Sequence, residues 1–252
     1  MSNLGLGDQI DMIGAVRYIA QFHSEIHVPC FSKNYNTLAA FFSDDPRIRP
    51  IRINNEWYYK NMRTWHPQKP QEAIQIDPKD YVAVYRSGFL AYPHHDMDPD
   101  YMIPICFYRD LGLDPQIQHT HFKIPENAAS KNLYATVKDF RYIFTQQKSS
   151  SHLNSLVTWD INETLTIDPN INVYPVGHRW HDLAQTFVDA PFPTYVDTII
   201  HASEIHVTNS AFRCLAAHLP LKATVKKCYQ RETGQHIPEW TFNWHNPTSP
   251  SQ

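Results

Sequence analysis

The sequence predicts an α/β protein in which helices alternate with parallel strands. Of its 252 residues 42% are hydrophobic, which is enough to build a core, and the length suits one large domain or two lobes. Helix and strand patterns alternate over residues 1–53 and again after about residue 130, as they do in parallel sheets. Glycine is scarce at seven residues, yet three of them lie within the first fourteen, which indicates an unusual backbone there.

The first alternation occupies residues 1–53. Gly5-Leu6-Gly7 predicts a turn, and Asp8 can cap the helix that follows it. Apolar residues recur at helical spacing in DQIDMIGAVRYIAQFH. A strand is then expected in SEIHVPC, a helix in NYNTLAAFF and a second strand in RIRPIRI, whose charged and apolar residues alternate.

The middle of the chain, residues 54–125, is less regular. We expect a strand in DYVAVYR, a helix from Tyr101 to Leu113 that ends near Gly112, and a short strand in QHTHFKIP. The alternation then returns. The expected order is a strand in FRYIFT, a polar turn, a strand within LTIDPNINVYPVG, a helix in PTYVDTIIHA, a strand in EIHVT, a helix in NSAFRCLAAHL and a last strand in ATVKKC.

Composition excludes several classes of protein. The formal net charge of −3 and the pI of about 6.6 argue against a protein that coats nucleic acid. The four cysteines form no CxxC pair and predict reduced, buried thiols. No apolar run approaches the ~20 residues of a transmembrane helix. The first residues have neither a basic start nor an apolar signal core, so a cytoplasmic location is expected.

The start of the first predicted helix is one candidate site. A carboxylate at Asp8, exposed beside a glycine turn, can take a proton from a substrate hydroxyl, and Gly7 and Gln9 would then lie on the acceptor side. The alternative is that Asp8 only caps the helix. The turn lacks the third glycine of a dinucleotide fingerprint, so NAD binding is disfavoured.

Two strand ends are candidate phosphate sites. Lys148, with Ser149 and Ser150, follows a predicted strand and offers a point charge and hydroxyl donors. An ordinary solvated loop is the alternative for this segment. Later in the chain, a strand ends at Asn209 and Ser210 and a helix begins at once, which presents unpaired N–H groups to an anion. Arg213, one turn into that helix, can reach the same anion.

Two histidine-bearing segments complete the candidate set. His178, Arg179 and His181 surround an indole in a predicted loop, where they can contact a base or a sugar, or form a polar surface turn. His94 and His95 begin an acidic loop that we assign to the acceptor side. The same loop, with Asp96 and His119, offers hard ligands for a divalent metal, but the spacing matches no standard hydrolase motif.

Two segments carry a resemblance to a known family. The opening LGLGDQIDMIGAVRYIAQFHSEIHVPCFSKNYNTLAAFFSDDPRIRPIRI resembles the N-terminal lobe of heptosyltransferase-like glycosyltransferases, in which a GD turn opens the first helix. DTIIHASEIHVTNSAFRCLAAHLPLKA resembles their C-terminal lobe and is also similar to the serine-rich helix start of fucosyltransferase-like enzymes. Asn209 stands where the family has aspartate, and Arg213-Cys214-Leu215 stands where His-Leu-Ala often begins.

The resemblance implies a GT-B fold, with two Rossmann-like lobes facing a cleft. Residues 1–130 would form the acceptor lobe and residues 131–252 the nucleotide-sugar lobe with a polar tail. It further implies an inverting, metal-independent glycosyltransferase that needs no cofactor beyond its nucleotide diphosphate sugar. Asp8 matches the family's base, Lys148 and its neighbouring serines match the phosphate loop, and Ser210 matches the hydroxyl on the donor phosphates.

Three functions follow as hypotheses. The first is transfer of a sugar to the hydroxyl of a glycan or glycoconjugate. The second is a non-catalytic sugar-nucleotide binding module, in which Asp8 is only a cap. The third is a metal-dependent hydrolase built on His94, His95, Asp96 and His119. No partner nucleic acid and no transmembrane segment are expected, and the sequence leaves the oligomeric state open.

Overall fold

The computed structural model describes residues 5–53, 81–85, 87, 103–149, 152–231, 233 and 234. The chain divides into two compact units, Met1–Pro125 and Glu126–Gln252. Each unit contains helices and one sheet of parallel strands, so the predicted α/β class is confirmed. Within the described residues, no helix is long and apolar enough to cross a membrane.

The first unit has a two-stranded parallel sheet. Strands β1 (Ile26–Phe31) and β2 (Ile48–Ile53) pair from Ile26 opposite Ile48 to Phe31 opposite Ile53. The sequence predicted both strands and the helix between them. The elements of this unit are α1 (Leu6–Asp11), α2 (Ile13–Ile19), β1 (Ile26–Phe31), α3 (Tyr35–Phe41), β2 (Ile48–Ile53), α4 (Ile103–Asp110) and α5 (Ile117–Thr120).

A break at Met12 divides the single helix predicted at the start of the chain into α1 and α2. The buried Tyr108 hydroxyl accepts a hydrogen bond from Ala15 N at 3.1 Å and donates one to Asp11 O at 2.9 Å. It thus lies near the position of the i to i−4 bond that an unbroken helix would make. Insertion of a side chain into the helical ladder is a recognised cause of kinks.

Close packing of α2 on α5 explains Gly14. A Cβ at this position would lie 2.7 Å from Ile117 O and 2.8 Å from the Cα of Gln118. The expected strand in QHTHFKIP is therefore wrong, because α5 begins at Ile117 and packs its backbone against α2. The strand expected in DYVAVYR is also not found at residues 81–85, the described part of that segment.

The second unit contains a four-stranded parallel sheet, formed by β3 (Tyr142–Gln146), β4 (Leu165–Ile167), β5 (Glu204–Thr208) and β6 (Val225–Tyr229). The order of the strands across the sheet is β4-β3-β5-β6. Its four strands and the helices Val196–His201 and Ala211–His218 agree with the sequence predictions, although β4 is only three residues long. The elements are α6 (Ala128–Ala135), β3 (Tyr142–Gln146), β4 (Leu165–Ile167), α7 (His181–Gln185), α8 (Val196–His201), β5 (Glu204–Thr208), α9 (Ala211–His218) and β6 (Val225–Tyr229).

Both faces of this sheet are covered, as parallel sheets require. Phe144 on β3 packs against Tyr195 and against Phe212 on α9, which cover one face. On the other face Trp159 packs against His206 with ring centroids 4.6 Å apart, and its Nε1 donates to Thr166 Oγ1 at 2.8 Å. Trp159 belongs to the connection between β3 and β4, which is not helical at this point. This connection therefore covers part of the second face of the sheet.

Candidate functional site

The strand order of the second unit puts a topological switch point at the carboxyl ends of β3 and β5, and we call this edge of the sheet the crevice. The chain leaves β3 for β4 on one side and later returns to β5 on the other side. Ligands of open parallel sheets bind at such switch points, outside the carboxyl ends of the strands. Asn209 directly follows β5, and Lys148 and Arg231 lie two residues after the ends of β3 and β6, so all three are placed at this edge.

The side chain of Gln146, which is buried at the end of β3, connects the parts of the crevice. Its Oε1 accepts hydrogen bonds from Thr208 Oγ1 at 2.8 Å and from Ser210 Oγ at 2.7 Å. Its Nε2 donates to the carbonyl oxygen of Lys148. One amide group therefore fixes three parts relative to one another: the end of β5, the start of α9 and the loop after β3 that contains Lys148, which we call the lysine loop.

Ser210 is the N-cap of α9. Its backbone is extended, and its Oγ accepts a hydrogen bond from Phe212 N at 3.3 Å, as N-cap serines do. The hydroxyl proton is directed at Gln146 Oε1. Contact between this proton and a phosphate oxygen, as the sequence predicts, requires the hydroxyl to leave Gln146. The helix start itself, with its first-turn N–H groups, stands at the crevice edge.

The lysine loop places its two described polar residues differently. Lys148 is exposed, whereas Ser149 is buried and its Oγ bonds the backbone of His152, accepting from N at 3.2 Å. The backbone of Ser149 also donates to His152 O at 2.8 Å. The third predicted residue, Ser150, lies outside the described residues. Lys148 is thus the side chain of this loop that is available to an anion.

Arg213 lies in the body of the second unit rather than at its surface. It is buried on α9, 8% exposed, and it lies near Cys228 on β6. Burial raises the pKa of the Cys228 thiol to about 11, and the positive charge of Arg213 partly opposes that rise. Contact between this guanidinium and a phosphate at the start of α9 stays a prediction.

Arg231 is a residue that sequence reasoning missed. Its Nε donates to Asn209 O at 2.9 Å, which holds the guanidinium beside the end of β5. Within the part of the chain that the structure describes, Arg231 makes no ion pair. Arg231 reaches the crevice through the pairing of β6 with β5. No local sequence pattern predicts that pairing.

Asp168, at the end of β4, was also missed. This carboxylate is 2% exposed and accepts hydrogen bonds from the backbone N–H groups of Gln147 at 3.0 Å and Asn170 at 2.8 Å. Burial raises its pKa to about 6, and those N–H groups limit the rise. An acidic residue directly after a short strand, in LTID, was the available signal.

The residues predicted to hold a base or a sugar lie elsewhere in the second unit. His178 Nε2 is 3.1 Å from Asn162 Oδ1, and Arg179 donates to Asn162 O. Asn162 precedes β4, so this group lies at the edge where the strands begin, away from the crevice. His181 is not in a loop, because it is the first residue of α7, where it pairs with Asp182.

The aromatic rings of this group contact one another. The ring of His178 stacks on Tyr174 with centroids 4.5 Å apart, and the guanidinium of Arg179 lies 4.0 Å from the centre of the Trp180 ring. These contacts hold the turn at Gly177, whose φ of +89° favours glycine. The structure therefore does not bring this group together with Lys148 and Ser210.

In the first unit, Asp8 lies inside α1 rather than ahead of it. The helix begins at Leu6 with Gly5 as N-cap, so Gly7 is helical and the predicted turn over residues 5–7 is wrong. Asp8 Oδ2 lies 2.9 Å from the position that a Cβ on Gly5 would occupy, so the carboxylate folds back over the helix start. A negative charge in the first turn is favourable there.

Gln9 has a packing role in the same unit. Its side chain is 4% exposed, donates to Pro29 O at 2.9 Å and accepts from Asn34 Nδ2 at 3.2 Å. Both ends of the amide are thus engaged in joining α1 to the end of β1. The assignment of Gln9 to an acceptor site finds no support in these contacts.

The predicted metal ligands give no site in the described part of the chain. His94, His95 and Asp96 lie outside the described residues. His119 is on α5, with its Nε2 3.0 Å from Gln118 Nε2. Among the residues that the structure describes, no group of three or more histidine, cysteine or acidic side chains could hold a metal ion.

Comparison with known proteins gives no relative. No family model, no curated protein and no solved structure matches the chain.

Proposed function

We propose that the second unit binds the diphosphate group of a nucleotide sugar, and that the chain is a GT-B glycosyltransferase. One observation carries the first part. Lys148, the start of α9 and Arg231 follow the carboxyl ends of three neighbouring parallel strands, at the edge of the sheet where such folds bind nucleotides. Two cationic side chains and a helix N-terminus complement a diphosphate in charge. The second part rests on the resemblance of the two lobes.

In the proposed reaction, the crevice stabilises the leaving nucleoside diphosphate. Negative charge develops on the phosphate as the sugar departs, and donors that are already oriented lower the energy of that state. Gln146 provides this orientation, because its amide holds both the lysine loop and Ser210. Asp8 is the proposed base for the acceptor hydroxyl, with inversion at the sugar carbon.

A non-catalytic sugar-nucleotide binding module is the second candidate. The position of Asp8 favours it, because this carboxylate folds back over Gly5 inside the first turn of α1. A side chain in that position stabilises the helix and needs no catalytic role. This function keeps the crevice of the second unit and omits the chemistry.

Thermal stability in the presence of nucleoside diphosphates tests the binding step. A ligand at 100 times its dissociation constant adds about 2.7 kcal/mol to the free energy of unfolding. We expect stabilisation by at least one of UDP, GDP, ADP and CDP, and less by the matching nucleoside. Absence of stabilisation by all four would contradict the proposal.

A pair of lysine variants localises the binding. Lys148→Ala should weaken diphosphate binding by about 1–3 kcal/mol, as expected for a lost hydrogen bond to a charged group. Lys138→Ala is the matched control, because Lys138 is exposed in the same unit and lies ahead of β3. Equal affinity in both variants would place the anion elsewhere.

Sugar transfer that persists in EDTA would separate the glycosyltransferase from the metal-dependent hydrolase.

A further inference from the structure

The carboxylate of Asp168 accepts hydrogen bonds from residues at the ends of β3 and β4, beside the crevice. Its Oδ2 accepts from Gln147 N at 3.0 Å and from Gln147 Nε2 at 3.4 Å. Its Oδ1 accepts from Asn170 N at 2.8 Å and from Ile171 N at 3.3 Å. Among the described residues no cation pairs with this buried carboxylate. Its four acceptor contacts join the end of β3 to the turn after β4.

Gln147 connects Asp168 to both cationic residues of the crevice. Lys148 is its neighbour in the chain. Gln147 Oε1 accepts from Leu156 N at 3.0 Å, and Gln147 O accepts from Asn154 N at 3.0 Å. The side chain of Asn154 then donates to Arg231 O at 3.1 Å. A series of hydrogen bonds thus runs from Asp168 through Gln147 and Asn154 to the backbone of Arg231. Lys148 is connected to the same series by the peptide bond that follows Gln147.

We propose that Asp168 is a positioning residue, which holds Lys148 and Arg231 in the arrangement that binds the diphosphate. This inference rests on the proposed function of the crevice. An ionised carboxylate is required, because four N–H donors converge on its two oxygens and only an acceptor group satisfies them all. Asparagine would direct an NH₂ group at one pair of these donors and leave them without an acceptor.

The sign of the effect on anion binding separates positioning from simple electrostatics. Asp168→Asn removes a negative charge near an anion site, and Coulomb's law alone predicts tighter binding. The positioning role predicts weaker binding, because the loop of Lys148 loses its support. Global destabilisation predicts neither outcome, provided that affinity is measured well below the unfolding temperature.

The experiment measures the affinity of full-length protein for inorganic sulfate and for a nucleoside diphosphate at pH 8, by calorimetry. Asp168→Asn should lower both affinities on the order of tenfold, within the usual range of coupling between sites. Asp139→Asn is the matched control, since Asp139 is exposed ahead of β3. Hydrogen exchange should also become faster at Gln147 and Asn154 in Asp168→Asn, and should be unchanged in β5.

The outcomes are distinct. Unchanged or tighter sulfate binding by Asp168→Asn, with a wild type that binds sulfate, would overturn the positioning role alone. Exchange rates at Gln147 equal to those of the wild type would overturn it too. A wild type that binds neither anion would overturn the proposed function. If Asp168→Asn does not fold, Gln147→Met removes the intervening amide at similar volume and should weaken sulfate binding in the same way.

Discussion

At the residue scale, hydrogen-bond partners decide which side chains of the crevice can meet a ligand. Ser210 directs its proton at Gln146, and Ser149 bonds the backbone of His152. Lys148 is exposed, and the side chain of Arg231 has one described hydrogen bond, through Nε. The sequence suggested Lys148, Arg213 and serine hydroxyls for the anion, whereas the contacts favour Lys148 and Arg231.

Arg231→Ala tests this distribution of roles. The variant removes a guanidinium whose plane is fixed by the bond to Asn209 O, and it should weaken nucleoside diphosphate binding by about 1–3 kcal/mol. Arg141→Ala is a suitable control, because Arg141 is exposed at the opposite end of β3, where it pairs with Glu204. Titration calorimetry of the two variants gives the comparison. A loss of affinity in both would indicate a non-specific charge effect.

Asp8→Asn distinguishes a catalytic base from a helix-stabilising carboxylate. If Asp8 is the base, its replacement should lower the rate of sugar transfer by roughly 10²–10⁴-fold and leave donor affinity unchanged. As a first-turn charge, its replacement should lower the free energy of unfolding by less than about 1 kcal/mol and leave the rate near normal. Initial rates with a hydroxyl acceptor and a urea unfolding curve, measured on the same protein, decide between the two.

At the element scale, the strands that alternate with helices were predicted, whereas the two strands expected between residues 80 and 125 were not found in the described residues. β1, β2, β5 and β6 follow from local apolar patterns, and these patterns determine which residues are buried. α6 was missed, although Asn127 caps it by accepting from Ala129 N at 2.9 Å. That segment has a weakly apolar face, so its periodicity gave little signal.

The parts of the site that sequence could not predict depend on distant residues. Lys148 and Ser210 were found because each follows a recognisable strand. Arg231 reaches the crevice only through the pairing of β6 with β5. The break in the first helix depends on Tyr108, more than ninety residues further along the chain. Neither relation leaves a local pattern, because both are made by tertiary contacts.

Tyr108→Phe tests the cause of the break between α1 and α2. The variant keeps the buried ring and removes the hydroxyl that bonds Ala15 N and Asp11 O. Two buried backbone groups then lack their partner, so the free energy of unfolding should fall by about 1–3 kcal/mol. Tyr134→Phe is the control, since its half-buried ring stacks on His201. An unchanged urea midpoint would show that the helix closes its own hydrogen bond at this point.

At the scale of the whole molecule, the two units contain carboxylates whose pKa values shift in opposite directions. In the first unit, burial raises the pKa of Asp44, but hydrogen bonds and charges from Lys123 and Arg17 outweigh burial and lower it. In the second unit, burial of Asp168 without a cation raises its pKa from 3.8 to about 6. The acid dependence of stability must therefore differ between the units.

The sign of each dependence follows from proton linkage. A carboxylate with a lowered pKa stabilises the fold above its unfolded pKa, and this stability is lost as the pH falls through the folded value. Asp44 thus makes the first unit weaker in acid below about pH 4. Asp168 has the opposite effect, because the folded state binds its proton more tightly than the unfolded state between about pH 4 and 6. Raising the pH through this window therefore destabilises the second unit.

The size of the Asp168 effect makes it measurable. A pKa change from 3.8 to about 6 corresponds to at most about 3 kcal/mol, lost between about pH 4 and 7. We expect Asp168→Asn to remove this slope, whatever its effect on stability at a single pH, because an amide does not titrate. Hydrogen exchange of the slowest amides in β3 and β5, converted to opening free energies at several pH values, measures the slope for the second unit directly. Asp44→Asn should leave that slope intact and change the acid limit of the first unit instead, so the pair of variants assigns each dependence to its own carboxylate. Parallel slopes in wild type and Asp168→Asn would mean that another group of the second unit takes up the proton.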